Sequence, residues 1–88
     1  MLPEVKEETT DRLKKIAGQV NGIQRMIESD RYCIDILTQI AAVRAAVDRV
    51  GMLVFKGHVK TCVAHAIKEG KGDVLIDELE KTMSKFLK

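Results

Sequence analysis

Apolar residues in the first third of the chain recur at Leu13, Ile16, Val20, Ile23 and Ile27, at steps of 3, 4, 3 and 4. Both steps return a side chain to one face of a 3.6-residue turn, so this is the a/d seam of a helix lying along a partner helix. Gly18 and Gly22 lie inside that helix. An interior Gly costs about 1 kcal/mol of helix propensity, so the pair predicts a close helix approach there. Asp30, following Ser29, predicts a stop and restart in which its carboxylate caps the next helix.

The second segment runs from about Arg31 to Glu69 without a Pro. Ile34, Leu37, Ala41 and Ala45 mark one apolar face; Ile36, Ile40, Val43, Val47, Val50 and Val54 mark others. A helix that is apolar on two sides must be buried on two sides. An 88-residue chain cannot do that for so long a helix, which implies partner chains. "GKGD" (Gly70 to Asp73) then breaks the helix, and Asp73 is predicted to cap a third, with a modest apolar stripe at Leu75, Leu79 and Phe86. The expected fold is all-α, with three helices at roughly 5–29, 31–69 and 73–87 and a very long second helix, in a single domain over residues 1–88. There is no internal repeat and no low-complexity tract.

Composition agrees with a helical domain and adds a location. The chain is 45% hydrophobic and 32% charged, with one Pro and no Trp, which reads as helical and soluble. No apolar run reaches membrane-spanning length. The opening "MLPEVKEETT" turns polar at once and offers no secretory apolar core. The expectation is therefore a cytoplasmic protein whose two cysteines are reduced thiols. A net charge of +2 permits nucleic-acid binding without demanding it, since a solvated surface of mixed sign gives the same sum.

The stretch "GHVKTC" changes the picture. It sets His58 and Cys62 four residues apart, one helical turn on one face, like half of a metal site. The only other cysteine, Cys33, lies 25 residues before His58. On one continuous helix these two are roughly 37 Å apart along the axis, so one chain cannot bring them to a shared ion. Two chains can. If two copies of the long helix pair antiparallel, Cys33 of one meets His58 and Cys62 of the other, with the two-fold axis near Ala46 and Val47. Small residues there, Ala41, Ala42, Ala45 and Ala46, allow close approach. Such an isologous dimer carries two identical sites. Other readings of the same residues stay open: a Cys is commonly a small buried hydrophobe, and an interchain bridge between Cys33 and Cys62 is geometrically possible as a redox event.

From about Asp11 to Leu87 the sequence closely resembles the copper-sensing repressors of the CsoR family, most clearly in "GQVNGIQRMIESDRYC", "ILTQIAAVRAA" and "HVKTC". The resemblance implies a helical protein without a winged or helix-turn-helix motif, whose four-helix-bundle-like dimers pair into a flat tetramer. It implies binding of operator double-stranded DNA without metal and release on loading, with a copper chaperone as a possible metal donor. The copper branch carries Cys, then His-x-x-x-Cys, and Cys33, His58 and Cys62 match that set. The nickel/cobalt branch has His in place of the last Cys and another His near its N-terminus, where this chain reads "LPEV". The persulfide branch lacks the His, and the formaldehyde branch lacks the second Cys. The implied ligands, two thiolates and one imidazole, suit Cu(I); Zn(II) wants a fourth ligand, for which His65 is the nearest spare. By the same resemblance Tyr32 and Glu78 are outer partners of the ligand His, fixing its tautomer and tying it to the last helix. Without the resemblance, Glu78 reads as a solvated charge.

Basic residues that could meet phosphates are Arg12, Lys14, Lys15, Arg25, Arg44, Arg49, Lys56 and Lys60. Arg12 and Arg49 match family positions implicated in operator binding, and Gln19 lies on the face of Arg12. Each cation is repeated in every copy of an oligomer, so a small net charge still yields a basic face; readout of groove shape is expected beside base contacts. Rival functions are an enzyme, a purely structural oligomer and a thiol sensor of persulfide or electrophiles. The enzyme reading lacks an orienting third group and an oxyanion hole, so no enzymatic activity is expected. The intact His58 weighs against the thiol sensor.

Overall fold

Pro3 opens the first helix at its first position, where the missing N–H of proline has no helical partner to lose. In the computed structural model, which describes residues 2–86 and every side chain among them but those of Val59, Lys60 and Phe86, this helix, α1, runs Pro3–Glu28. It is followed by α2 (Cys33–His58), a π turn (Val59–Val63), α3 (Ala64–Lys68) and α4 (Gly72–Phe86). The end of the third helix expected at Leu87 lies outside the described residues, as do Phe86's side chain in the expected stripe and Lys60's as a phosphate contact.

The long second helix is present, with one correction. His58, Val63 and Ala64 all keep right-handed helical backbone angles, so α2, the π turn and α3 form one rod. It begins at Cys33 and ends at Lys68, and its turn at Val59–Val63 is widened rather than α. The Thr61 hydroxyl donates to the carbonyl of Gly57 at 2.8 Å, a side-chain donor at the α-to-π boundary of the kind that bends helices.

Both interhelical turns correct the expected caps. Asp30 adopts the left-handed conformation, φ 55, and closes α1 instead of capping α2. The Arg31 amide reaches back to the carbonyl of Met26 at 2.9 Å and the Asp30 amide to that of Ile27 at 3.2 Å, the paired bonds of a Schellman termination. The cap position of α2 falls on Tyr32, whose carbonyl accepts from the Asp35 and Ile36 amides. The second turn repeats the device: Gly70 has φ 73, and the Lys71 amide bonds the Ala66 carbonyl at 2.8 Å. Asp73 therefore sits within the first turn of α4, where its charge complements the helix dipole, and is not the cap.

α1 and α2 lie antiparallel. Val5, near the start of α1, packs against Gly57, near the end of α2: a Cβ on Gly57 would meet Val5 Cγ1 at 3.2 Å. Within the chain the close approach is thus at Gly57, against the Val5 side chain, and not at Gly18 or Gly22. Gly18 faces open space, and Gly22 has only the end of Arg25 at 3.9 Å.

Among the described apolar side chains only Ile16 and Val50 are buried, one on each of α1 and α2. Most of the predicted seam remains open: Leu13, Val20 and Ile27 on α1, then Ile34, Leu37, Ile40 and Val47 on α2, are all about half exposed. The chain measures 56 × 29 × 14 Å, and its thinnest dimension barely exceeds one helix diameter of about 10–12 Å. A single layer of helices has no inside. The radius of gyration is 17.2 Å, where a compact domain of this length has about 12 Å. No helix among the described residues is long and apolar enough to cross a membrane.

Candidate metal centre and nucleic-acid interface

The residues singled out for metal fall into two groups at opposite ends of the rod. Tyr32 and Cys33 begin α2 and are exposed, Tyr32 by 67%. His58 ends α2, half-buried, and Cys62 follows within the π turn as an exposed free thiol. Twenty-five helical residues separate Cys33 from His58, roughly 37 Å along the rod. The described residues of one chain accordingly bring no three His, Cys, Asp or Glu side chains together as a metal-holding group.

The rod's second end does assemble a partial site. α4 turns back from α3, packing on α3 and the π turn, and it and α2 line a groove of about 940 Å³ between them. Its walls are mostly apolar, including Phe55, Leu75 and Leu79, and His58 and Glu78 both line it. The two residues expected to pair thus line one groove, with no hydrogen bond or ion pair between them among the described residues, while Tyr32 is at the other end of α2. Cys62 lies outside the groove lining. The Thr61 hydroxyl, bonded to Gly57, also lies 3.6 Å from Cys62 Sγ. His65, the spare ligand considered for zinc, is on α3, highly exposed, with Nε2 3.9 Å from the Glu69 carboxylate.

The donor types fit a soft ion. Two free thiols and an imidazole are what Cu(I) selects, and both thiols are exposed, so a second chain can reach them. For the three to share one ion, Cys33 would have to come from elsewhere than the same rod.

The basic residues behave differently. Arg12, Lys15 and Gln19 follow one another along α1 and line one shallow concavity against Ala46 of α2. Arg12 also lines the neighbouring concavity, with Arg49 and Lys56 of α2. The four residues expected to meet DNA therefore lie on one continuous face of a single chain, and Lys56 joins them. Arg25 and Arg31 line a third concavity toward the other end of the α1–α2 pair, which adjoins the first at Gln19.

Three acids were missed. Glu8 and Asp11 share the first basic concavity, and Glu8 Oε1 accepts from Arg12 Nη2 at 3.3 Å. Asp48 shares the second concavity and also lines the His58–Glu78 groove, so it stands between the two sites. The Glu8–Arg12 spacing of four, acid first, is the sequence signal that marks a helical ion pair; Asp48 carries no such signal.

Residues 5–85 match the family model described as metal-sensitive transcriptional repressor. The copper-sensing transcriptional repressor CsoR of Bacillus subtilis (strain 168) is 52% identical over 83 residues, 94% of this chain and 82% of that protein. The crystal structure of the copper-sensing repressor CsoR with Cu(I) from Geobacillus thermodenitrificans NG80-2 superposes with a TM-score of 0.93 at 46% identity, over 100% of this chain and 92% of that one. The nickel-responsive transcriptional regulator InrS superposes with a TM-score of 0.76 at 34% identity, over 91% and 90% of the two chains. The match spans both groups of residues described above, from α1 through α4, and the chain belongs to the family of metal-sensitive transcriptional repressors, DNA-binding proteins and not enzymes.

Proposed function

We propose that this chain is a Cu(I)-responsive repressor: free of metal it binds operator double-stranded DNA, and on taking up Cu(I) it lets go. The single observation that carries the reading is the split donor set. His58 and Cys62 stand at one end of a rigid rod and Cys33 at the other, in a chain that matches copper-sensing repressors over nearly its whole length.

Cys33 of one chain would complete the site with His58 and Cys62 of its partner, and Cu(I) held there supplies a bond between the two chains. Tyr32, beside Cys33, arrives with it from the partner. Glu78 lines the α2–α4 groove with His58 of its own chain and would reach it from there. A carboxylate accepting from the second ring nitrogen fixes the tautomer that leaves the first nitrogen free as a ligand. The metal state is thereby transmitted to α4.

The surface supports an oligomer. The chain exposes 7096 Å², about 1,900 Å² more than a compact monomer of its mass. A standard interface takes about 800 Å² from each partner, so the excess serves more than one interface, as in a dimer that pairs into a homotetramer. Half-exposed Leu37, Ile40 and Val47 supply the apolar face for antiparallel pairing of α2. The chain then works as one domain, with Arg12, Lys15, Gln19 and Arg49 facing DNA. A cytoplasmic location and delivery of Cu(I) by a copper chaperone complete the reading.

The test is an anaerobic titration of the reduced protein with Cu(I), reading thiolate-to-copper absorption and operator binding in the same samples. The expected result is one Cu(I) per chain and loss of DNA binding in step with it. Release by persulfide at intact DNA affinity in Cu(I) would instead identify a thiol sensor.

A further inference from the structure

Arg12 occupies an unusual position on the basic face. It lines both concavities, and its guanidinium is only partly satisfied. Nη2 donates to Glu8 Oε1 at 3.3 Å, longer than the roughly 2.7–2.9 Å of a strong charge-assisted bond. Nε is buried without any hydrogen-bond partner, an unfavourable state for a donor. Among the described residues this is the only ion pair on the basic face; the other, His65–Glu69, lies on α3.

We propose that Glu8 is an intramolecular stand-in for a DNA phosphate, which holds Arg12 in the free protein and is displaced from it on operator binding. The proposal rests on the DNA-binding reading of this face. A single long contact to one Nη gives the carboxylate a weak hold on a group built to bind oxyanions through two parallel N–H donors. The Arg12 side chain is 37% exposed, so it has room to turn toward solvent. Swinging off Glu8 frees the Nε and Nη edge together for two phosphate oxygens and ends the isolation of Nε. Asp11 and Asp48 share the concavities but neither is paired to a cation of this face, so exchange of partners is specific to Glu8.

Exchange has a signature that a simple surface charge lacks. When Arg12 trades a carboxylate for a phosphate, the number of ion pairs it makes does not change, and it adds little to the salt dependence of binding. In Glu8→Gln the phosphate contact becomes a newly formed ion pair. The slope of log affinity against log salt should then steepen by about 0.9 for each chain whose Arg12 touches DNA. Affinity at low salt should rise by about twofold per such chain, the factor that an i,i+4 pair is worth.

The experiment is a cycle of wild type, Glu8→Gln, Arg12→Ala and the double variant, measured as operator affinity from low to high salt, with Glu7→Gln as a control of equal charge change on the same helix. Gln keeps the helix propensity of Glu, and folding is checked by helical circular dichroism. The expected result is a gain and a steeper slope in Glu8→Gln, both absent in the Arg12→Ala background and small in Glu7→Gln. Weaker or unchanged binding by Glu8→Gln, or an equal gain with and without Arg12, overturns the proposal. If Arg12→Ala weakens binding while Glu8→Gln does nothing, only the exchange step fails. If Arg12→Ala also leaves affinity unchanged, the assignment of this face to DNA fails with it.

Discussion

Arg12 on α1 and Arg49 on α2 reach the same concavity within one chain, whereas Cys33 and His58, on one and the same helix, are held roughly 37 Å apart by it. The difference is one of direction. Residues brought together across two antiparallel helices are neighbours as soon as the α1–α2 hairpin closes, with Val5 on Gly57 and Ile16 and Val50 buried. Residues separated along a helix axis stay separated, because the rod that carries them does not fold back. A basic face can therefore be finished by one chain, while on the proposed reading the thiol–imidazole set is half-built in each. On that reading the first kind of site would report the presence of DNA, and the second where one chain stands relative to another, which suits a signal that must change an assembly.

The largest effect is expected from breaking the split site and then rebuilding it. Cys33→Ala and Cys62→Ala should each fold and bind operator DNA to within about twofold of wild type, and each should lose release by Cu(I) altogether, since two thiolates are what select the ion. Co-expressed with different tags and purified as mixed dimers, the two variants should regain one tight Cu(I) site of the two. The intact Cys33 of one chain then faces the intact His58 and Cys62 of the other. Recovery measured by competition with a Cu(I) probe would confirm the cross-chain assignment. Its absence in verified mixed dimers would mean the ligands do not come from two chains.

Arg49→Ala tests the complete face by the opposite criterion. It should weaken operator binding by roughly tenfold or more at low salt and flatten the salt slope by about 0.9 for each contacting chain. Cu(I) affinity of the free protein should not move, because Arg49 lies outside the lining of the His58 groove. A slope equal to that of wild type would remove Arg49 from the phosphate contacts.

How far each region could be read in the sequence follows from the same distinction. Periodicity at Leu13 through Ile27 and the Pro-free second segment carried the helices, because burial of a face imposes a period on the sequence. The separation of Cys33 from His58 and Cys62 was legible too, from the rise of a helix, while their joining as one metal site rests on the family resemblance and is a proposal. What periodicity does not encode is local hydrogen-bond competition. The left-handed Asp30 reads as a cap because Asp is a common cap, and only the returning amides of Asp30 and Arg31 distinguish the two roles. The π turn has no spacing of its own. The glycine that meets the facing helix within the chain is Gly57, not Gly18 or Gly22, because which Gly meets a neighbour depends on where the hairpin closes. On the basic face the cations were read without the acids among them, although Glu8 stands at helical spacing from Arg12.

The smallest expected effect concerns the link between the two regions. Glu78 shares the α2–α4 groove with His58, and Asp48 continues that groove's wall into the concavity of Arg12 and Arg49. If the metal state reaches the DNA face through this wall, Cu(I) and DNA oppose each other through the fold and not by competing for a surface. Linkage then requires that DNA weaken Cu(I) binding by the factor by which Cu(I) weakens DNA binding. Couplings of this kind are about 1–3 kcal/mol, or some five- to 150-fold in affinity. Glu78→Ala leaves the proposed ligands Cys33, His58 and Cys62 in place, so Cu(I) should still bind, but His58 would lose the carboxylate proposed to tie its ring to α4. The coupling factor should fall by about threefold or more, and by more than the Cu(I) affinity of the free protein falls. The measurement is a four-corner cycle: operator affinity with and without Cu(I), for wild type and for Glu78→Ala. Equal coupling in the two proteins would place the relay elsewhere along the rod. A loss of Cu(I) affinity larger than the loss of coupling would make Glu78 part of the binding set itself.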